Sequence, residues 1–320
     1  MKKDLMIYDV DWWILGKTAK MLRLHHPDMD TMSARQLDEL LLAEGSGALN
    51  AKYRTISAMC LGMAAYALFK GVRIDSSAAV SYYYFSRNYE SFREWADPLT
   101  PDEEFLRLVI PRIGTIGGMS QRLTGKLKEI APSASVEYIG HFVDHRLFRP
   151  SAEARIQEGP LIIGWAGDTG KKSKNYATLY EPLKNHFASD PEVSFRDTPG
   201  HYAHEQMPQF YRSIDLLLIT SANEGGGATA LEAYACGKPV LSTDVGYVKE
   251  AAHPDAHGLI LRSGKVSDFI NAINYYKNKR ILLHELGLKC RERIEADWTV
   301  ERGAKRWLQV LFGFKSCTGG

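Results

Sequence analysis

At 320 residues, with 45% apolar and 24% charged side chains, the chain is long enough for two α/β cores and has an ordinary globular composition. A net charge of +2, spread so that each half either side of Pro150 carries about one excess positive charge, rules out a polyelectrolyte binder and leaves nucleic acid only a local patch to contact. The four cysteines, Cys60, Cys236, Cys290 and Cys317, form no Cys-x-x-Cys pair and fit free thiols in a reducing cytosol better than a disulfide frame or a zinc site.

The opening predicts a strand from Leu5 to Val10, a loop Asp11–Gly16 and a helix Lys17–Leu24. Its basic start carries too short an apolar run for a signal peptide. Trp12, Trp13 and Gly16 sit where a doubly wound sheet places ligand-binding loops, and the two tryptophans read slightly better as simple packing between domains. A helical stripe of Leu37, Leu40 and Leu41 runs from Ser33, its cap, to a break at Glu44–Gly47. Lys52–Lys70 reads as a buried helix ended by Gly71; its apolar part, Ala58–Phe69, is about half a membrane span. Further elements are a strand Ala78–Phe85, a turn at Asp97–Asp102 with Thr100 capping a helix Asp102–Ile110, a strand Arg112–Met119, a helix Gln121–Ile130 capped by Ser120, and a strand Val136–Ile139.

After a polar linker, Ser151–Gly159, comes a buried strand Leu161–Gly167, a basic loop Asp168–Asn175 and a helix Tyr176–Phe187. A strand Val193–Arg196, a loop Asp197–Glu205 and a helix Met207–Asp215 lead to an apolar strand, Ile214–Thr220. The stretch Ser221–Val240 follows. Gly225, Gly226 and Gly227 open a helix Ala228–Cys236, which Gly237 and Pro239 stop before the strand Val240–Thr243. The first amides of such a helix lack acceptors and form an anion site. Glu224 and Glu232 flank it, and a carboxylate beside an anion site needs another task, such as gripping sugar hydroxyls. The loop is neither a P-loop nor a Gly-x-Gly-x-x-Gly turn. The chain closes with a strand Gly258–Leu261 and helices Ser267–Tyr276, Arg280–Ala296 and Arg302–Leu311, then a tail. His201 and His204 have no evident third ligand, and Pro254 breaks the spacing of His253 and His257, so no metal site is predicted.

Ser221, Glu224, Gly225, Leu231, Glu232, Ala233, Ala235, Gly237, Pro239 and Val240 together resemble the Glu-x7-Glu signature of retaining glycosyltransferases of the GT-B fold, family 4. Gly140, Val143, Asp144, Phe148 and Pro150 resemble that family's interdomain hinge, opened by two residues. Asp244–Glu250 resembles its Gly-Gly-x-x-Glu segment with one glycine missing. The resemblance implies an α/β fold of two Rossmann-like domains facing a central cleft: 1–150 on the acceptor side, 151–300 holding the nucleotide-sugar, and 301–320 a helix crossing back to the first domain, with its tail.

It also implies roles. Lys174 and the amides of Gly226, Gly227, Ala228 and Thr229 would hold the diphosphate, with Lys171 or Lys172 supplementing the charge. Glu232 would grip the ribose, and Glu224 would contact the transferred sugar. Gly16 would line the cleft, and the loop bearing Gly200 and His201 would meet the base. Asp168 stands where relatives have an arginine, and Tyr82–Tyr84 where many have a histidine.

The implied activity is metal-independent, cofactor-free transfer of a sugar with retention, from a UDP-sugar first and a GDP-sugar second. The acceptor hydroxyl would belong to a glycan or lipid-linked glycan, in the cytoplasm or peripherally on the inner membrane face, with no obligate protein partner. The alternatives are a virus-type enzyme acting on modified DNA bases and a non-catalytic nucleotide-sugar-binding pseudoenzyme.

Overall fold

Short apolar runs and amphipathic stretches alternate along the described residues, and most of the short runs become strands parallel to their neighbours. The computed structural model describes residues 2–151, 159–198 and 203–314. They divide into two compact units. The first takes the described chain up to Arg87, then Leu99–His141, then the described residues from Val300 on; the second takes Asn88–Pro98 and the described residues of Phe142–Thr299.

The first unit contains β1 (Asp4–Tyr8), α1 (Ile14–Leu24), β2 (Met29–Ser33), α2 (Ala34–Lys52), β3 (Ile56–Ala58), α3 (Leu61–Phe69), β4 (Ile74–Ala79), α4 (Glu103–Leu108), β5 (Ile113–Gly118), α5 (Gln121–Ile130) and β6 (Val136–Tyr138). Its sheet runs β2-β1-β3-β4-β5-β6, all parallel. The expected caps at Ser33 and Ser120 form: the Ser33 hydroxyl accepts from the Gln36 amide while the Gln36 side chain accepts from the Ser33 amide, and Ser120 Oγ accepts from the Leu123 amide at 3.1 Å.

Several boundaries differ from the sequence reading. The helix expected over Lys52–Lys70 is a strand followed by a helix, with Cys60 as the helix N-cap. The strand Ile56–Ala58 is buried on both sides, Ser57 included, and only three residues long, so periodicity does not separate it from a buried helix. Helix α2 does leave helical geometry at Gly45 (φ +76°), but it resumes and continues to Lys52. The strand expected at Ala78–Phe85 begins at Ile74 and ends at Ala79, and Asp102 rather than Thr100 caps α4. Strand β2, whose sequence Met-Asp-Thr-Met-Ser is too mixed to read as apolar, was not expected and forms the sheet edge.

The second unit contains β7 (Leu161–Ala166), α6 (Glu181–His186), β8 (Val193–Thr198), α7 (Met207–Arg212), β9 (Leu216–Ile219), α8 (Ala228–Ala235), β10 (Val240–Thr243), α9 (Val248–Ala251), β11 (Ile260–Leu261), α10 (Val266–Lys277) and α11 (Arg280–Asp297). Its sheet runs β11-β10-β9-β7-β8, again parallel throughout. The helix expected from Tyr176 starts as a π-helical turn, Tyr176–Tyr180.

The units do not divide at Pro150. Phe142–Pro150 belongs to the second unit, where Val143 bridges Thr299 and Arg291 Nη1 donates to the carbonyls of Phe148 (2.7 Å) and Ala235 (2.5 Å). The last helix, α12 (Val300–Phe312), returns to the first unit as expected. There Trp307 Nε1 donates to the Gly140 carbonyl (3.0 Å), and the Leu311 carbonyl accepts from Ser76 Oγ (2.6 Å).

In both sheets the chain steps outward once and then crosses back: β1 to β2 and back to β3, and β7 to β8 and back to β9. Loops leaving the carboxyl ends of β7 and β9 therefore diverge and open a crevice at the strand-order switch, where doubly wound sheets bind ligands.

Candidate functional site

One wall of that crevice is the loop after β7. Residues Lys172–Lys174 make a single 3-10 turn, and Asn175 then adopts left-handed geometry (φ 52°), the only non-glycine among the described residues to do so. Asparagine tolerates that region because its short amide bonds locally. Here Asn175 Nδ2 donates to the Thr220 carbonyl at 3.0 Å, and Thr220 Oγ1 donates to the Lys174 carbonyl at 2.6 Å. Ser173 accepts from the Ala222 amide at 2.7 Å. The lysine backbone is thus tied to the end of β9.

The loop after β9 supplies the opposite charge. Lys174 Nζ forms an ion pair with Glu224 Oε1, and Ser221 Oγ donates to the same oxygen at 2.6 Å. Both charged side chains are largely buried, at 22% and 15% exposed, so solvent screens this pair less than a surface one. Beyond Glu224, Gly227 takes φ +111° and is the residue before α8, a backbone setting that favours glycine. Helix α8 then begins at Ala228, whose amide and that of Thr229 have no intrahelical acceptor and carry the positive end of the helix dipole. The Gly226 carbonyl accepts from the Tyr247 amide at 3.3 Å. A side chain at Gly246 would put Cβ 1.9 Å from that carbonyl oxygen, so the loops after β9 and β10 meet at a distance that only glycine allows.

Glu232 lies one turn into α8 and is nearly buried. Tyr211 Oη donates to its Oε2 at 2.7 Å, and His204 Nε2 lies 3.3 Å from its Oε1. Burial, together with the Glu232 carboxylate, pushes the Tyr211 hydroxyl well above its ordinary pKa, so it stays a proton donor. Each carboxylate oxygen has more than one acceptor direction, leaving capacity for a diol. Sequence reasoning missed Tyr211 and weighed His204 only as a metal ligand. Neither contact follows a local spacing, and an aromatic in a short amphipathic helix carries no site signal.

The structure therefore brings Lys174 and Glu224 together and sets Glu232, Gly226, Gly227, Ala228 and Thr229 on the same loop and helix. The Asp168 carboxylate accepts from the Gly170 amide at 2.9 Å. Lys172 pairs with Glu90 at 2.6 Å on the surface, and Lys171 is exposed. Gly16 lies in the first unit, in the opening turn of α1, where a Cβ would meet the Val10 carbonyl at 2.3 Å. Gly200 and His201 lie outside the described residues. Among the described residues no three His, Cys, Asp or Glu side chains cluster closely enough to hold a metal ion, and no helix is long and apolar enough to cross a membrane.

Comparison with known proteins points to the same region. Residues 196–293 match the family model for glycosyl transferases group 1. The D-inositol 3-phosphate glycosyltransferase of Gordonia bronchialis is 33% identical over 171 residues, covering 52% of this chain and 36% of that protein. Its counterpart from Stackebrandtia nassauensis is 27% identical over 168 residues, covering 52% and 35%. The chain thus matches about a third of the length of these curated relatives.

Among solved structures, sucrose-phosphate synthase from Thermosynechococcus elongatus superposes with a TM-score of 0.69 at 17% identity, covering 96% of this chain and 98% of that one. Anabaena HepE in complex with UDP superposes with a TM-score of 0.70 at 13% identity, covering 98% and 100%. At such identities the likeness is one of fold. The two doubly wound units have the GT-B fold, and residues 196–293 are the part of the chain that resembles the glycosyl transferases group 1 family.

Proposed function

We propose that the chain transfers a sugar, with retention at the anomeric carbon, from a UDP-sugar to a hydroxyl acceptor. The observation that carries this reading is the meeting of Lys174 and Glu224 at the β7/β9 switch point, beside the open N-terminus of α8. A cation, a carboxylate and unpaired amides at one crevice suit a ligand that is anionic at one end and rich in hydroxyls at the other.

In this reading the amides of Gly226, Gly227, Ala228 and Thr229 hold the diphosphate together with Lys174, which turns from Glu224 to the phosphate when the donor enters. Fixed donors aimed at the leaving group stabilise the charge that grows there as the C1–O bond breaks, and take the place of a divalent metal. Glu232, oriented by Tyr211, accepts from the ribose hydroxyls. Glu224, released by Lys174, accepts from the transferred sugar. The bond electrons leave with the phosphate oxygen, the acceptor hydroxyl adds to C1 on the same face, and its proton passes to that oxygen.

The UDP and UDP-glucose complexes of Anabaena HepE support UDP as the nucleotide. A glycan or lipid-linked glycan remains our proposed acceptor. The names of the curated relatives add a phosphorylated cyclitol to the acceptors worth screening.

Incubation with a panel of UDP- and GDP-sugars tests the reading. Nucleotide release is expected from wild type and should fall about 10²- to 10³-fold in Glu224→Ala and Lys174→Ala. No release from any donor, with no nucleotide binding by calorimetry, would sink it. Binding without turnover would identify a pseudoenzyme.

A further inference from the structure

Between β4 and α4 the chain leaves the first unit for eleven residues, Asn88–Pro98, which group with the second. The segment is anchored firmly. Phe92 is buried, and Asn223 Nδ2 donates to the carbonyls of Tyr89 (2.9 Å) and Phe92 (2.8 Å). Glu90 pairs with Lys172, and the Glu94 amide donates to the Ala222 carbonyl at 3.0 Å. Arg93 closes a bidentate pair with Asp97 at 2.7 and 2.8 Å.

The Glu94 side chain is itself buried, with 8% exposure, and its carboxylate joins two loops of the site. Oε1 accepts from the Glu224 amide at 2.6 Å, and Oε2 accepts from the Gly246 amide at 2.9 Å. Charge-assisted bonds to backbone amides are among the stronger hydrogen bonds. The two amides belong to the loops after β9 and β10, which also touch through the Gly226 carbonyl and the Tyr247 amide. Glu94 therefore fixes the backbone from which the Glu224 side chain projects.

We propose that Glu94 is a positioning residue for sugar transfer, holding Glu224 in the orientation that meets the transferred sugar. The proposal rests on the glycosyltransferase reading above. It separates two functions of the site: nucleotide affinity, carried by Glu232, Lys174 and the α8 amides, and sugar alignment, carried by Glu224 on its Glu94 strut. Misplacing a reacting group by about 1 Å costs on the order of 100-fold in rate, so alignment should register in turnover rather than in nucleotide affinity.

The test is Glu94→Gln in the full chain, with Glu94→Ala alongside it. Glutamine keeps the shape and one acceptor but turns an N–H against one of the two amides. Glu94→Gln should melt close to wild type, bind UDP within about twofold, and lose about 10- to 100-fold in kcat for donor hydrolysis or transfer. Glu94→Ala should lose more turnover. Hydrogen exchange at residues 221–227 should quicken in both. Three results would overturn the proposal: unchanged kcat in a folded Glu94→Gln, UDP affinity falling in parallel with kcat, or tighter UDP binding with faster turnover, which would make Glu94 a plug. A wild-type chain that releases no nucleotide from any donor overturns the glycosyltransferase reading and this proposal together. An active wild type with an indifferent Glu94→Gln overturns only the proposal.

Discussion

The two units share a topology and fill it differently. At the β7/β9 switch of the second unit the loops carry Lys174, Ser221, Glu224 and, one turn into α8, Glu232, and they are tied to one another by side-chain and backbone hydrogen bonds. At the corresponding β1/β3 switch of the first unit the loop carries two aspartates and two aromatic residues: Asp11 pairs with Lys20, and Trp12 is 75% exposed and Trp13 48%, their rings stacked 6.1 Å apart. Doubly wound topology sets where a site can be, and the side chains on the loops decide its chemistry. A lysine beside the open N-terminus of a helix suits an anionic ligand; aspartates and exposed indoles do not. In this account nucleotide chemistry resides in the second unit.

Substitutions in each unit test that contrast. The largest effect on nucleotide affinity is expected at Glu232. Glu232→Ala removes the carboxylate that Tyr211 and His204 orient, and loss of a hydrogen bond to a charged group, about 1.5–3 kcal/mol, should weaken UDP binding by about 10- to 100-fold in calorimetry. Unchanged affinity would remove the ribose role.

A stability effect of similar size belongs to the first unit and should leave the site untouched. His141 is buried, and burial pushes its pKa from 6.5 down to about 4. The unfolded chain then binds the extra proton between pH 6.5 and 4, so the imidazole's stabilisation is present above pH 6.5 and is lost as pH falls through that window. Its share of the loss from pH 7 to pH 5 is roughly 2 kcal/mol. Denaturant titrations at both pH values should show a smaller fall in His141→Asn than in wild type, and equal falls would contradict the assignment.

The smallest effect is expected at the indoles. Trp12→Ala and Trp13→Ala should change stability by no more than about 0.5 kcal/mol and leave UDP affinity unaltered, because both are surface residues of the unit without the anion site. A large loss of UDP affinity in either would dissolve the contrast between the units.

What was legible in the sequence follows from what is local. Ser120 and α5, the glycine-opened start of α8 and the strand Val240–Thr243 appear where caps, glycines and prolines announced them. Strand β3 was hidden because full burial erases alternation, and β2 because an edge strand needs no continuous apolar run. Within the site, Glu224, Glu232 and the glycines stood out as a spaced motif in one stretch. Their partners did not: Tyr211 lies 21 positions from Glu232, and Glu94 lies 130 from Glu224, separations that only the folded sheet closes. The displaced segment Asn88–Pro98 was invisible for the same reason, since its anchoring depends on the Asn223 side chain and on backbone groups that the folded second unit presents.

A crystal structure of the chain with UDP tests the central claim most directly. The diphosphate should lie at the N-terminus of α8 with Lys174 turned onto it from Glu224, and the ribose hydroxyls on Glu232. UDP bound away from the carboxyl ends of β7 and β9, or bound there with Lys174 still on Glu224 and Glu232 untouched, would contradict it.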